Sequence, residues 1–181
     1  MNEYSADKIR NVAIVGHGGA GKTTLVEQML FAAGVTSRLG SVEQGTTVSD
    51  FDPQEIQRKI SLNASVIPIE WKGHKINMID VPGYPDFIGD LYGVARVVEA
   101  MVIVAPAQAA LEVGFDNAWE VAERHGLSKI IFLNKMEREN ADYGGAMKVI
   151  DERFGVRAVP LVLPVGAQLN FRGVLDLVEK K

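Results

Sequence analysis

Gly16-His-Gly-Gly-Ala-Gly-Lys-Thr23 is a complete G-x-x-x-x-G-K-[ST] run, and its neighbours decide how it is read. Before it, Asn11-Val-Ala-Ile-Val15 is β-branched and apolar, the composition of a buried strand. After it, Leu25, Val26, Met29, Leu30 and Ala33 recur at helical spacing. Strand, glycine-rich turn and helix in that order make a phosphate loop. Peptide N–H groups face inward around a phosphate, and the new helix adds its positive end. Gly16, His17, Gly18, Gly19, Ala20, Gly21, Lys22, Thr23 and Thr24 are thus the first candidate nucleotide-binding residues. Lys22 can bridge β- and γ-phosphate oxygens, and the Thr23 hydroxyl can ligate Mg²⁺.

The rest of the chain supports an ordinary folded domain around that loop. It has 181 residues, 47% apolar and 23% charged, enough for one hydrophobic core. The net charge of −4 gives no global field that would attract DNA, although a local basic patch remains possible. No cysteine is present, which removes disulfides and thiolate metal sites. No stretch reaches the ~18 apolar residues of a membrane span. The first residues lack the basic and apolar regions of a signal peptide. A soluble, cytoplasmic location with no membrane partner is the expectation.

Residues 34–60 lose periodicity and gather Gly, Ser, Thr, Gln and Asp, the composition of a functional loop. Within it, Asp52-Pro-Gln-Glu55 predicts a short helix near 53–59, with an N-cap acid, a first-turn proline and a capping-box glutamate. Strands are expected at 61–71, on an edge because of Pro68, and at 74–79 after a turn at Gly73. That hairpin is antiparallel. Beyond it, helical stripes at 87–98, 111–122 and 143–154 alternate with strands at 100–104, 129–133 and 159–165. The expected fold is α/β, a P-loop NTPase with a mixed, mostly parallel sheet, one antiparallel strand and helices on both faces. Ligands on such sheets sit at the carboxyl ends of strands.

Other motifs fall at those ends. Asp80 opens Asp-Val-Pro-Gly-Tyr-Pro-Asp-Phe87, where a carboxylate could hold the Mg²⁺ hydration shell opposite Thr23. Gly83 would let a backbone N–H approach the γ-phosphate without a side chain in the way. Asn134-Lys-Met-Glu137 ends another strand. The Asn134 amide can accept from and donate to a purine edge, the Lys135 stem can cover its face, and the Glu137 carboxylate can accept from guanine N1–H and its amine. Ser61 closes the long loop with a hydroxyl that could reach the same Mg²⁺.

In motif order the chain resembles, over essentially its whole length, the GTPase domain of translation factors, specifically elongation factor G and its paralogues. A further carrying segment is Leu163-Pro-Val-Gly-Ala-Gln-Leu-Asn-Phe-Arg-Gly-Val-Leu-Asp-Leu-Val178, similar to the opening of an insertion late in that domain. The resemblance implies binding of GTP and GDP, Mg²⁺ held through Thr23, Ser61 and Asp80, and the ribosome as partner. Lys8, Arg10, Arg38, Arg58 and Lys59 could touch ribosomal RNA. Residues 1–165 would be the GTP-binding domain and 166–181 the truncated start of the insertion, with Lys181 ending a fragment of a multidomain protein. The family's fifth nucleotide motif would lie beyond that insertion.

The chain also departs from the family. Elongation factors carry isoleucine or valine and then aspartate where Gly18 and Gly19 stand, aspartate at Glu137, and histidine at Tyr84. That histidine positions the attacking water. A phenol is a poor base near neutral pH but can still orient water by hydrogen bonding. The first expectation is therefore a GTP hydrolase with Lys22, Gly83 and Tyr84 as catalytic candidates, slow or ribosome-dependent. The rival is a GTP-dependent binding switch with little hydrolysis. An adenine-nucleotide enzyme is disfavoured by Asn134, Lys135 and Glu137.

Overall fold

A computed structural model describes residues 3–108 and 111–180; Lys181 lies outside the described residues. Each apolar run before a motif becomes a strand. β1 (Ile9–Gly16) leads into the phosphate loop and α1 (Lys22–Ala32) leaves it. The 34–60 stretch contains one helix, α2 (Pro53–Arg58), with the capping box complete. The Asp52 carboxylate accepts from Gln54 N–H at 2.7 Å, and the Glu55 carboxylate accepts from Asp52 N–H at 3.1 Å.

β2 (Ser65–Trp71) and β3 (His74–Asp80) form the antiparallel hairpin, with Trp71 opposite His74. Lys72 and Gly73 make the turn at φ 45° and 77°, the doubly positive geometry whose twist matches a two-residue hairpin. β2 starts at Ser65 rather than at 61. The backbone before it is bonded to side chains instead of a strand: Leu62 and Asn63 N–H donate to Glu55 Oε1 and Ala64 N–H to Asp90 Oδ2. α3 (Ile88–Val94) is shorter than the 87–98 stripe. Gly89 and Gly93 weaken it, and tightened turns from Gly93 to Arg96 and Val94 to Val97 replace its end.

β4 (Ala100–Pro106), α4 (Val113–His125) and β5 (Ser128–Asn134) complete a sheet of order β2-β3-β1-β4-β5. β1 is parallel to both β3 and β4, and β2 is the antiparallel edge strand, with Pro68 opposite Asn77. On this sheet Val26 and Leu30 of α1 pack with Ile14, Ile67, Ile69, Met78 and Val104. α4 buries Phe115, Ala118, Trp119 and Ala122, its two rings stacked at 6.2 Å. His125 and Gly126, the latter at φ 64°, close that helix as the sequence predicts.

The chain divides into two compact units, Met1–Val104 with Val113–Phe132 and Ala105–Glu112 with Leu133–Lys181. The second contains α5 (Tyr143–Phe154), N-capped by Asp142 through Gly145 N–H at 2.9 Å. Its small core joins Ala107, Met136 and Ala141 to Leu133, Tyr143, Ala167 and Phe171. Here one expectation needs correction. The strand read at 159–165 is β6 (Val162–Val165), and it pairs with β7 (Gly173–Asp176) in a separate antiparallel sheet. Gly166 at φ 78° and Gln168 at φ 56° fold the chain back, and Arg172 N–H closes on the Val165 carbonyl at 2.9 Å. The sequence pattern alone does not announce β7.

Candidate functional site

The phosphate loop is shaped by its glycines. Gly16 ends β1 at φ 139°, and a Cβ there would collide with the Val104 carbonyl. Gly19 and Gly21 stand at φ 76° and 102°, so the loop coils before the helix begins at Lys22. Ala20 is wholly buried, its N–H on the His17 carbonyl at 3.2 Å. The turn is packed from outside as well. A Cβ on Gly114 of α4 would lie 2.5 Å from His17 Cα, so helix and loop touch backbone to backbone. His17 is accordingly packed, its Nδ1 buried without a hydrogen-bond partner.

Lys22 is buried, and its ammonium donates to the Gly16 and His17 carbonyls at 3.1 and 2.9 Å. Thr23, also buried, donates from Oγ1 to Asp80 Oδ2 at 2.8 Å. Ser61 Oγ lies 3.3 Å from Thr23 Oγ1. Thr24 faces outward from the same helical turn. Asp80, the last residue of β3, is 1% exposed. Burial pushes its carboxyl up to about 6, against the opposing pull of the Thr23 hydroxyl and the Lys22 charge. Its second oxygen, Oδ1, is buried without a hydrogen-bond partner. A carboxylate with one oxygen orphaned and the other on Thr23, whose hydroxyl lies 3.3 Å from that of Ser61, is a set of hard oxygen donors of the kind Mg²⁺ takes. The residues present therefore fit that ion. Among the described residues no group of His, Cys, Asp and Glu gathers densely enough to hold a metal by itself.

Gly83 comes against the same loop. A Cβ there would meet the Lys22 ammonium, the Gly16 carbonyl at 2.6 Å and Gly18 N at 2.7 Å. The following residue, Tyr84, is partly exposed and lays its ring on Gly18. Lys22, Thr23, Ser61, Asp80, Gly83 and Tyr84 are thus brought to one place.

Several residues of this place carry no motif in the sequence. Glu27 on α1 is buried and accepts from Gly40 N–H at 3.2 Å and Val48 N–H at 2.6 Å, tying the long loop to the helix. Glu55 does the same at the loop's end. Asp50 is buried, its carboxyl raised by burial against a Ser61 hydroxyl that lowers it. Thr47 and Ser49 bury hydroxyls without partners. Glu55 is the exception, read from the sequence as the capping-box glutamate. Asp50, Thr47 and Ser49 are signalled only by the clustering of Thr, Ser and Asp in an aperiodic loop, and Glu27 on α1 by nothing.

The Asn134 segment belongs to the second unit. Asn134 ends β5, its carbonyl accepts from Ala107 N–H at 2.8 Å, and its side-chain Oδ1 accepts from Lys135 N–H at 2.8 Å. Lys135 stands at φ 59°, and burial holds its ammonium below the usual lysine range, with the Arg138 charge acting the same way. Met136 is buried while Glu137 is exposed, so the chain is pinned at Met136 and offers its neighbours outward.

Known proteins resemble this chain in sequence and in fold. Residues 7–180 match the family described as elongation factor Tu GTP binding domain. The chain is 38% identical over 181 residues to elongation factor G of Granulibacter bethesdensis, covering 100% of this chain and 26% of that protein. It is 44% identical over 171 residues to elongation factor G 2 of Streptomyces coelicolor, covering 93% and 25%. It is 38% identical over 174 residues to the mitochondrial ribosome-releasing factor 2 of Mus musculus, covering 96% and 22%. A crystal structure from Thermus thermophilus superposes with a TM-score of 0.87 at 35% identity, over 93% of this chain and 25% of that one. The chain thus spans about a quarter of the length of the relatives it matches. Among the described residues no helix is long and apolar enough to cross a membrane. The motif order, the sheet and these matches agree: the chain belongs to the elongation factor Tu GTP-binding-domain family, as a translation-factor GTP-binding module of the P-loop NTPase fold.

Proposed function

We propose that this chain is the guanine-nucleotide-binding domain of a cytoplasmic, ribosome-associated GTPase similar to elongation factor G. Residues 1–165 are read as the GTP-binding domain and 166–181 as the opening of an insertion. The reading rests above all on the buried Thr23–Asp80 hydrogen bond, with Asp80 Oδ1 left orphaned and the Ser61 hydroxyl 3.3 Å from Thr23 Oγ1. Mg²⁺ held by Thr23, Ser61 and Asp80 would neutralise charge on the β- and γ-phosphates.

The remaining roles follow from chemistry. Gly16 to Thr24 cradle the phosphates through backbone N–H groups, and Lys22 stabilises the transferring charge. Gly83 brings a backbone N–H to the terminal phosphate, and Tyr84 orients water. Asn134, Lys135 and Glu137 recognise guanine, Glu137 by accepting from its N1–H and amine. Competition binding with GDP, GTP and ATP in Mg²⁺ tests this: guanine nucleotides should displace a fluorescent GDP, and tighter ATP binding would sink it.

A second reading is a GTP-dependent switch with little hydrolysis. The Tyr84 ring resting on Gly18 supports it, since a phenol seated on the loop is a weak base for water. Single-turnover GTP hydrolysis by the longer parent protein, with and without ribosomes, separates the two. Acceleration by ribosomes supports the hydrolase, and its absence supports the switch.

A further inference from the structure

Gly18 and Tyr84 are distant in sequence and inseparable in space. An ideal Cβ on Gly18 would lie 2.7, 2.8 and 2.9 Å from ring atoms Cζ, Cε2 and Cε1 of Tyr84. Real Cβ atoms do not approach a ring that closely, so the ring rests on the loop only because residue 18 has no side chain. Gly18 is also absent from the positive-φ glycines, so its backbone would accept alanine. The demand for glycine comes from the ring and not from the turn.

The neighbouring residue completes the closure. Gly83 is pressed against the Lys22 ammonium, the Gly16 carbonyl and Gly18 N. That ammonium donates to the loop's own Gly16 and His17 carbonyls. In a phosphate loop the lysine reaches the β- and γ-phosphates, so this is the end where a third phosphate enters. The 83–84 segment therefore sits at the terminal-phosphate end of the loop, backbone against the lysine and ring against Gly18. On this arrangement a diphosphate would leave the segment where it is, and a third phosphate would have to lift it.

We propose that Gly18 and Tyr84 form a matched pair that sets the preference between nucleoside di- and triphosphate, the seated ring holding the terminal-phosphate end closed. This deepens the guanine-nucleotide reading and rests on it. The pair makes a specific claim about substitutions. Gly18→Ala pushes the ring off the loop without adding any group that binds nucleotide. Tyr84→Ala removes the ring itself. Both open the same contact.

The experiment measures affinities of GDP and a non-hydrolysable GTP analogue by competition with fluorescent GDP in Mg²⁺. It uses the 181-residue chain as wild type, Gly18→Ala, Tyr84→Ala, Tyr84→Phe and the double alanine variant. Each single alanine variant should raise affinity for the analogue relative to GDP by about three- to tenfold, with the double no larger than either single. Residues sharing one contact behave that way, whereas independent residues add. An unchanged ratio in either alanine variant overturns the pairing, as do effects that add in the double. So does Tyr84→Phe matching Tyr84→Ala, which would assign the effect to the hydroxyl rather than the ring. Should Gly18→Ala fail to fold, the comparison of Tyr84→Ala with Tyr84→Phe still decides. Failure of wild type to bind GDP at all is a different result, and it overturns the guanine-nucleotide reading beneath.

Discussion

At the phosphate end of the molecule Lys22, Thr23 and Asp80 are buried, while in the Asn134 segment Lys135 is half-buried and Glu137 exposed. The first group is fixed by side chains. Lys22 bonds loop carbonyls, Thr23 bonds Asp80, and Glu27 and Glu55 gather the long loop. The second group is fixed by local contacts: a carbonyl on Ala107 N–H, a side-chain amide oxygen on the next N–H, a left-handed lysine and a buried methionine. The candidate binding groups at the phosphate end therefore also hold the fold, whereas Glu137 in the Asn134 segment is exposed. Substitutions should move stability and affinity together in the first region and affinity alone at Glu137.

Lys22→Ala should show the largest effect. Losing hydrogen bonds from a charged donor, about 1.5–3 kcal/mol each, should weaken GDP binding by about a hundredfold or more, measured by fluorescent-nucleotide titration. A loss under tenfold would count against a phosphate-bridging lysine. Glu27→Ala comes next. It orphans the Gly40 and Val48 N–H groups and should cost about 1–3 kcal/mol in urea unfolding. An unchanged midpoint would mean that the loop does not depend on this carboxylate.

The third effect is a pH dependence. Asp80, with its carboxyl raised to about 6, holds a proton more tightly folded than unfolded. The unfolded chain ionises first as pH rises, so the ligand-free fold loses stability between about pH 4 and 6 and no further above. Asp50 is shifted in the same direction. Asp80→Asn should flatten this slope without abolishing it, read from unfolding midpoints across that window. A slope as steep as wild type would contradict the burial argument. Glu137→Asp should be the mildest: a shorter carboxylate on an exposed loop changes guanine-nucleotide affinity by about two- to fivefold with no change in unfolding midpoint. A shifted midpoint would erase the contrast between the regions.

Much of this is legible without coordinates. The loop at 16–23, the capped helix at Asp52, the edge proline and the hairpin at Gly73 each depend on local rules over a few residues, and each appears. The resemblance read from motif order is matched by the family itself. What stays hidden depends on contacts between distant residues. Glu27 looks like any helical acid until Gly40 and Val48 are placed beside it. β7 is short and is defined by its partner, so 159–165 reads from the sequence as one more strand of the main sheet. The departures at Gly18 and Tyr84 read as separate oddities along the chain, and in space they are one contact.

Pro68 carries a last implication. It stands at the centre of β2, the outermost strand of the sheet on that side. A strand edge with every N–H intact is a template on which a neighbouring copy can extend the sheet. Here the row of donors is broken in its middle, because proline has none to give. The chain thus carries, within its own hairpin, a safeguard against stacking edge to edge as concentration rises.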